Sequence, residues 1–275
     1  MPTLPPLREI IARHSLRAQK TLGQHFLLDS NLTQKIVRQA GPLSGVNVVE
    51  IGPGPGGLTR AILDSDAATL TAIEMDARCL PALEELRDAY SSGRFVIIHG
   101  DGLKIDLTAI TSAPRAIIAN LPYNVGTQML INWLRHIDAY KSLTLMFQAE
   151  VVDRLVAQPK SKAYGRLSVL TQFCCEAKCV LKVPARAFTP PPKVDSAVVL
   201  LTPRLDRPAD IELPALELVT HHAFGQRRKM LRASLRPLGG EELLGKAGLD
   251  PSLRAEDLPL SAYETLARLV ENKNA

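Results

Sequence analysis

Four consecutive residues, Asn120-Leu121-Pro122-Tyr123, combine the groups needed to hold an aromatic amine in place. The Asn120 side-chain oxygen and the Leu121 carbonyl can both accept hydrogen bonds from an exocyclic amine. Two such acceptors draw the nitrogen towards tetrahedral geometry and aim its lone pair at an incoming methyl group. Pro122 fixes the turn, and Tyr123 offers a flat face for a base. We therefore predict a catalytic tetrapeptide that acts on the amine of adenine, although a lone tetrapeptide is also compatible with a plain turn.

The segment Glu50–Gly57 predicts the cofactor that would supply the methyl group. It has the glycine spacing of dinucleotide-binding sites, at Gly52, Gly54 and Gly57. An NAD-dependent oxidoreductase is therefore an alternative. Pro53 and Pro55, however, remove two backbone N–H donors that a pyrophosphate would need. S-adenosyl-L-methionine has no phosphate, and Glu50 suits its cationic sulfonium, so we predict that this is the cofactor.

The elements that must position these residues are strands alternating with helices. Apolar runs predict strands at residues 46–51, 69–73, 95–98, 115–119, 143–147 and 194–201. Helices are predicted from about residue 58, over 77–90 and over 127–134. This alternation is typical of βαβ units with a mostly parallel sheet.

Candidate ligand-binding residues follow four consecutive strands, at Gly52, Glu74, Asp101 and Asn120. In a doubly wound sheet, ligands bind at the carboxyl ends of the strands. We predict that Glu74 accepts hydrogen bonds from both ribose hydroxyls of the donor, and that Asp101 accepts from its adenine amine. Asp101 is also compatible with a simple turn.

The sequence changes in character after residue 203. Residues 205–210 are polar, and residues 211–275 look helical throughout. We therefore predict a catalytic, donor-binding domain over residues 1–204, with a basic N-terminal segment, and a helical domain over residues 205–275. The predicted fold class is α/β, a Rossmann-like class I methyltransferase sheet with a small all-α C-terminal domain.

Composition narrows the partners of the chain. The 33 Lys and Arg exceed the 28 Asp and Glu, giving a net charge of +5. Basic clusters at Arg8–Lys20 and Arg227–Arg236 indicate either a phosphate-rich partner or two solvated helix faces. No apolar run approaches the ~20 residues needed to span a bilayer, so no membrane association is expected. The four cysteines, Cys79, Cys174, Cys175 and Cys179, lack the spacing of a zinc site. We expect them to be small buried apolar side chains that bind no metal, in a reducing, cytoplasmic compartment.

Longer segments carry a resemblance to a known family: Lys20–Asp29, Glu50–Gly57, Asn120–Asn124, Ser161–Ser168, Phe188–Ser196 and Phe224–Lys229. The last three are the specific ones, because generic methyltransferases lack them. On these segments the chain resembles the small-subunit (16S) rRNA adenine dimethyltransferases of the KsgA/RsmA family. The resemblance covers almost the whole chain.

This resemblance implies N6,N6-dimethylation of two adjacent adenosines in the 3′-terminal hairpin loop of 16S rRNA within the small ribosomal subunit, and a role in its biogenesis. Matching positions imply cofactor contacts from His25, Leu27, Gly52, Glu74, Asp101 and Asn120. His25 stands where the family usually has Asn, which leaves its side-chain role open. Phe188 would form the second wall of the base pocket opposite Tyr123, with an ordinary core position as the alternative.

The resemblance also implies contacts to rRNA phosphates, from Lys193, Arg227, Arg228, Lys229 and Arg232. The helical domain would then bind RNA or the ribosome, and we expect the protein to be monomeric. Two alternatives of related fold stay open. One is a 23S rRNA adenine N6-methyltransferase of the macrolide-resistance type, which Ser161–Ser168 and Phe188–Ser196 disfavour. The other is a non-catalytic assembly or nucleic-acid-binding factor, which an intact Asn120 and Tyr123 disfavour.

Overall fold

The computed structural model describes residues 4–19 and 23–274. Residues 20–22 of the predicted basic segment lie outside this description. The chain divides into two compact units, one of Met1–Val152 with Lys178–Pro203 and one of Asp153–Ala177 with Arg204–Ala275. The second unit therefore includes residues 153–177, which the sequence analysis assigned to the first domain. The reason is that the helix Arg166–Cys174 packs on the helix Leu213–Gly225 of the same unit.

A seven-stranded sheet organises the first unit. Its strands in chain order are β2 (Asn47–Ile51), β3 (Thr69–Glu74), β4 (Phe95–His99), β5 (Arg115–Asn120), β6 (Ser142–Gln148), β7 (Cys175–Val183) and β9 (Ser196–Pro203). They lie in the order β4-β3-β2-β5-β6-β9-β7. Strands β2 to β6 pair in parallel, and β9 runs antiparallel to β6. The predicted α/β class is confirmed, whereas β7 was not predicted from the sequence.

Strand order explains where a ligand can bind. From β2 the chain builds outwards through β3 and β4, then returns to the other side of β2 as β5 and continues to β6. The direction in which the chain adds strands to the sheet thus reverses between β2 and β5. Such a switch point opens a crevice at the carboxyl ends of the strands. The parallel strands hold the core, with Val48, Ile117 and Leu145 fully buried, as expected for strands covered on both faces.

A separate two-stranded ribbon pairs β1 (Phe26–Leu27) with β8 (Phe188–Thr189) in antiparallel register. Leu27 lies opposite Phe188, although the two residues are far apart in the chain. Because the ribbon depends on this long-range pairing, no local pattern predicted it. It brings the segment before β1 next to the segment that follows β8.

Helices of the first unit are α1 (Leu7–Arg13), α2 (Ser30–Arg38), α3 (Gly57–Leu63), α4 (Leu80–Tyr90), α5 (Leu107–Ile110), α6 (Gly126–Leu134) and α7 (Ala149–Leu155), the last of which runs into the second unit. Helix α2 begins where the Asp29 carboxylate accepts the backbone N–H groups of Asn31 and Leu32. The helix predicted over 77–90 is a short 3-10 turn at Ala77–Cys79 followed by α4. Pro81 lies in the first turn of α4, where its missing N–H costs least.

The second unit is built from α8 (Arg166–Cys174), α9 (Leu213–Gly225), α10 (Leu231–Ser234), α11 (Gly240–Lys246) and α12 (Leu260–Asn274). The helical character predicted for its C-terminal part is observed, and α9 packs along α12. Cys174 and Cys175 are buried as predicted, but Cys179 is exposed in the middle of β7, which is an edge strand of the sheet. Among the described residues, no helix is both long and apolar enough to cross a membrane.

Candidate active site

A cavity of about 280 Å³ lies at the carboxyl ends of β2, β3, β4 and β5 in the first unit. Its walls include all six residues that the sequence analysis assigned to the cofactor: His25, Leu27, Gly52, Glu74, Asp101 and Asn120. The tetrapeptide residues also line it, at Leu121, Pro122 and Tyr123. Strand ends that are distant in the sequence therefore converge on one space, as the switch point requires.

The loop after β2 exposes few hydrogen-bond donors to this cavity. Gly52 donates its backbone N–H to Ile73, and Gly54 donates its own to the Glu74 carboxylate over 2.8 Å. Gly56 donates to the carbonyl of Pro53. The remaining positions between 52 and 56 are prolines, which have no N–H. Residues 52–56 therefore leave no free backbone N–H for a pyrophosphate, which weighs against the NAD alternative.

Glycine is required in this loop for two different reasons. Gly52 and Gly54 have φ values of +67° and +56°, in the left-handed region that L side chains rarely adopt. Gly57, at the start of α3, lies so close to β1 that an added Cβ would be 2.4 Å from the Leu27 carbonyl oxygen. The glycines thus both shape the turn and let the helix approach the ribbon.

Glu74, at the end of β3, is held by the backbone on both sides. Its two carboxylate oxygens accept N–H groups from Gly54, at 2.8 Å, and from Asp76, at 2.7 Å. Each oxygen keeps a further lone pair for an outside donor such as a ribose hydroxyl. Burial raises the pKa of Glu74. Asp76 is itself fixed by Arg78 and Gln24, and hydrogen bonds from Arg78 lower the pKa of Asp76 to about 2.

Glu50 places a second buried carboxylate in the wall of the cavity. It is only 1% exposed, and its Oε2 has no hydrogen-bond partner among the residues that the structure describes. Burial, together with the nearby charge of Glu74, raises the pKa of Glu50 to about 8. A buried, unpartnered carboxylate oxygen is costly unless something compensates it. A cationic ligand such as a sulfonium fits this requirement.

Asp101 and its neighbours form the next wall. The Asp101 Oδ1 accepts the backbone N–H of Leu103, so this residue does stabilise a turn, and it lines the cavity as well. The apolar residues beside it, Met75 and Leu103, were not predicted from the sequence. Met75 is 53% exposed and lines the cavity, so its apolar surface is available to a ligand. Met75 follows Glu74 at the end of a predicted strand, and Leu103 follows the turn at Asp101 and Gly102. These positions in the sequence could have indicated an apolar surface for a flat ligand.

The orientation of the Asn120 amide follows from its contact with His25. The Asn120 Nδ2 lies 3.2 Å from the His25 carbonyl oxygen and donates to it. Because a carbonyl oxygen only accepts, the NH2 group must face it, and Oδ1 is the atom left over. Within the described parts of the chain no group donates to Oδ1. Asn120 therefore offers a hydrogen-bond acceptor, as the proposed catalysis needs.

Three aromatic rings, those of His25, Tyr123 and Phe188, lie close together beside the tetrapeptide. The His25 imidazole stacks on Tyr123, with 5.5 Å between centroids and 28° between planes. Its Nδ1 is 2.8 Å from the Pro190 carbonyl, and its ring meets the edge of Phe188 at 6.4 Å. The Tyr123 hydroxyl is 2.7 Å from Ser196 Oγ on β9. His25, rather than Phe188, is thus the ring that faces Tyr123, and Phe188 is 2% exposed and does not line the cavity.

The predicted RNA-binding residues divide between the two units. Lys193 is exposed in the first unit, and Arg228 and Lys229 are exposed in the second. Arg232, also exposed, is 3.9 Å from Glu241. Arg227 differs from them, because it is hydrogen-bonded to Glu256 and to the Lys162 carbonyl.

The sheet, its switch-point cavity and the donor-poor glycine loop define a class I, Rossmann-like methyltransferase that uses S-adenosyl-L-methionine as methyl donor. Its particular family follows from a match over residues 15–271 to the family model described as Ribosomal RNA adenine dimethylase. The chain belongs to this family, and ribosomal RNA is its class of substrate. The family resemblance seen in the sequence is thereby confirmed.

Individual relatives agree with this assignment. A curated protein from Sinorhizobium medicae (strain WSM419), called Ribosomal RNA small subunit methyltransferase A, is 57% identical over 96% of this chain and 97% of its own length. The crystal structure of a dimethyladenosine transferase from Plasmodium falciparum has the same fold, with a TM-score of 0.75, 23% identity and coverage of 88% and 96% of the two chains. The crystal structure of the 23S rRNA methyltransferase ErmE has a TM-score of 0.68 and 25% identity, with coverage of 90% of this chain and 99% of its own.

Proposed function

We propose that the protein dimethylates N6 of two adjacent adenosines in the 3′-terminal hairpin loop of 16S rRNA, within the small ribosomal subunit, and takes part in the biogenesis of that subunit. The observation that carries the chemistry is the Asn120 amide, whose NH2 group is bound by the His25 carbonyl so that Oδ1 is left to accept. The choice of the small subunit is supported by the 57% identity to the small subunit methyltransferase A of S. medicae.

Residues around the cavity would hold the donor by its three parts. The Glu74 carboxylate would accept from the ribose hydroxyls, and Asp101 from the adenine amine, with Met75 and Leu103 against the flat base. The Gly52 turn and the Leu27 backbone would pass close to the methionine part. Glu50 would face the sulfonium, which supplies an electrophilic methyl group when the donor is bound.

The target adenine would be positioned by Asn120, Leu121 and Tyr123. Hydrogen bonds from its amine to the Asn120 Oδ1 and the Leu121 carbonyl would localise the nitrogen lone pair and direct it towards the donor side of the cavity. The base would stack on Tyr123, whose ring is fixed through its hydroxyl by Ser196. Phe188 would support the pocket through His25, whose ring it contacts at its edge. After transfer the methylated nitrogen would carry the positive charge that the sulfonium has lost, and this cation is acidic enough to release a proton to water, so no general base is needed.

The rRNA backbone would be bound by exposed cations of both units, Lys193 in the first and Arg228, Lys229 and Arg232 in the second. The proposal further takes the protein to act as a monomer in the cytoplasm. Sedimentation of the free protein at micromolar concentration tests the monomer directly.

The experiment that tests the function is incubation with labelled S-adenosyl-L-methionine and small subunits that lack the modification, followed by mapping of the labelled nucleotides. Two adjacent dimethylated adenosines in the 3′-terminal hairpin of 16S rRNA are the expected result. Unmodified large subunits and their free 23S rRNA form the matched comparison. Label on 23S rRNA alone would replace the proposal by the macrolide-resistance type of activity, and no label on either RNA would favour a binding factor without catalysis.

A further inference from the structure

Two segments of the second unit are characteristic of the family, Ser161–Ser168 and Phe224–Lys229, and the first of them has no role so far. In the structure they contact each other at two places. Tyr164 meets Phe224 edge-on at 6.1 Å, and Arg227 donates from Nη2 to the Lys162 carbonyl oxygen over 2.7 Å. The two segments therefore form one structural feature, the loop pair Lys160–Tyr164 and Phe224–Lys229.

An aromatic anchor holds the base of this loop pair. Tyr164 is 1% exposed, and Phe224 stacks on Tyr263 of α12 at 5.7 Å. The Tyr164 hydroxyl has no hydrogen-bond partner among the described residues, so the ring contributes the stability here, through its buried apolar surface. The start of α8 is fixed as well, because Ser168 Oγ accepts from Gly165 N and donates to the Arg154 carbonyl.

The tip of the loop pair is held by Arg227 and Glu256. The Arg227 Nε lies 2.7 Å from the Glu256 carboxylate, and its other nitrogen reaches Lys162. The backbone carbonyl of Glu256 accepts from the N–H of Lys160 at 2.7 Å. Lys160 has a φ of +69°, a strained value for a residue with a side chain. A strained backbone that is fixed by long-range contacts indicates a conformation that serves a purpose.

Around this junction the side chains are positive and unneutralised. Lys160, Lys162, Arg228 and Lys229 are all exposed. In the part of the chain that the structure describes, none of these four forms an ion pair. Glu256, an acidic side chain in contact with the loop pair, is engaged by Arg227. Four free cations on two loops joined back to back form a surface suited to a phosphate backbone.

We propose that Lys160 and Lys162, together with Arg228 and Lys229, form a single surface that binds rRNA phosphates, and that Arg227 is the positioning residue that builds this surface. The proposal rests on the proposed function, since it takes small-subunit rRNA as the partner. It assigns a role to the loop Lys160–Tyr164, which carries both lysines, and it changes the role of Arg227. A guanidinium that bridges a carboxylate and a carbonyl is already committed within the protein.

The first test removes the lysine charges and leaves the backbone contacts in place. Lys160→Ala with Lys162→Ala keeps the N–H of 160 and the carbonyl of 162. Binding to unmodified small subunits is measured over a range of salt concentrations. We expect affinity to fall on the order of tenfold or more, and the slope of log affinity against log salt to flatten by about 2, one for each lost phosphate contact.

The matched control removes two positive charges elsewhere on the same unit. Lys246 is exposed and Arg268 is half-buried, and they pair with Glu242 and Asp210. Lys246→Ala with Arg268→Ala has the same change in net charge and should leave the salt slope unchanged. Equal flattening in both double variants would mean that net charge alone matters, and would overturn the proposed surface.

The second test separates positioning from direct contact by the sign of an effect. Glu256→Ala makes the surface more positive but removes the carboxylate that holds Arg227. Arg227→Lys keeps the charge but cannot bridge two acceptors in the same geometry. We expect both variants to weaken binding on the order of two- to tenfold, as for the loss of one or two hydrogen bonds. Tighter binding by Glu256→Ala, with Arg227→Lys unchanged, would show that Arg227 contacts phosphate itself and would overturn its positioning role.

The unmodified protein distinguishes a failure of this inference from a failure of the function. If it binds and methylates small subunits while the lysine variant behaves like it, only the proposed surface is overturned. If the unmodified protein neither binds nor methylates them, the proposed function fails, and this inference fails with it. Thermal unfolding of each variant tests whether the unit stays folded. Lys162→Arg keeps the positive charge and should bind like the unmodified protein.

Discussion

The Asn120 side chain donates a hydrogen bond to the backbone carbonyl of His25, a residue 95 positions earlier in the chain. This contact joins the end of β5 to the segment that leads into β1. The same His25 carries a ring that stacks on Tyr123 and a nitrogen that contacts the Pro190 carbonyl. One residue outside the tetrapeptide therefore orients two of its members, the amide of Asn120 through the backbone and the ring of Tyr123 through the side chain.

Replacing Asn120 tests its proposed task as an acceptor. Asn120→Ala should reduce methyl transfer by about a hundredfold or more, as for the loss of one preorganised polar group at a reacting centre, while binding to small subunits persists. Asn120→Asp keeps an oxygen at the Oδ1 position but sets a second oxygen against the His25 carbonyl, so we expect a similar loss. Single-turnover transfer of labelled methyl groups measures both.

The matched control for these variants is Asn132→Ala, since Asn132 lies on α6 and its side chain accepts a hydrogen bond from Gln128 of the same helix. It should retain normal activity. Full activity of Asn120→Asp would contradict the orientation inferred from His25, whereas full activity of Asn120→Ala would contradict the catalytic role itself.

Tyr123 is expected to act through its ring. Tyr123→Ala should cost about 1–3 kcal/mol of base stacking, a loss of roughly 5- to 150-fold in kcat/KM. Tyr123→Phe keeps the ring and loses only the contact with Ser196, so its loss should be several-fold smaller. Ser196→Ala should resemble it, and the double variant Tyr123→Phe with Ser196→Ala should be no worse than either single one, because both remove the same hydrogen bond. If Tyr123→Phe is as inactive as Tyr123→Ala, the hydroxyl has a direct part in the reaction.

The parts of the site that were predictable are those encoded locally. Gly52, Glu74, Asp101 and Asn120 each end a strand whose apolar run is visible in the sequence, and parallel strands bring such ends together. Pro53 and Pro55 indicated a loop without donors, and the structure shows the remaining amides already bonded. For these residues, strand periodicity and the covalent chemistry of proline were sufficient information.

Features that depend on long-range contacts were not predictable in the same way. Phe188 was expected to face Tyr123, but pairing of β8 with β1 buries it behind His25. Arg227 was expected to be free for RNA, but it is held by Glu256, 29 positions later. Cys179 is exposed on β7, whose place at the edge of the sheet depends on its pairing with β9. Each outcome is decided by a partner that no local window of sequence contains.

Gly57 provides a test of how tightly α3 approaches the ribbon. Gly57→Ala would place a Cβ 2.4 Å from the Leu27 carbonyl oxygen, which must then move. Strain of this kind typically costs about 1–3 kcal/mol, and we expect the midpoint of thermal unfolding to fall by roughly 3–10 °C. The affinity for S-adenosyl-L-methionine should fall too, because Leu27 and Gly57 both line the cavity. Calorimetry with and without the donor measures both effects.

The control for that substitution is Gly245→Ala, at a helical position with nothing within 4 Å of the added carbon. It should be neutral or slightly stabilising, by about 0.5–1 kcal/mol, because alanine favours the helix more than glycine does. An equal destabilisation by both substitutions would show that the contact between Gly57 and Leu27 is not what limits the site.

Glu50 should make both folding and donor binding depend on pH. Burial raises the pKa of Glu50 to about 8, so between its ordinary value and about 8 the folded state holds a proton that the unfolded state has lost. The stability that this carboxyl contributes is thus fully present below about pH 4.5 and is lost as the pH rises towards 8. Glu50→Gln stays neutral, so the free energy of unfolding of the unmodified protein, relative to that of Glu50→Gln, should fall over this range and then level off.

Donor binding should show the opposite dependence on pH. A cationic donor favours the ionised form of Glu50, so the affinity for the donor should rise with pH by up to about tenfold per unit below pH 8 in the unmodified protein and should vary much less in Glu50→Gln. Denaturant titration of the free protein and calorimetric titration with the non-reactive analogue sinefungin, both between about pH 5 and pH 9, measure the two effects separately. Parallel pH profiles for the two proteins would exclude Glu50 as the group that compensates the sulfonium charge.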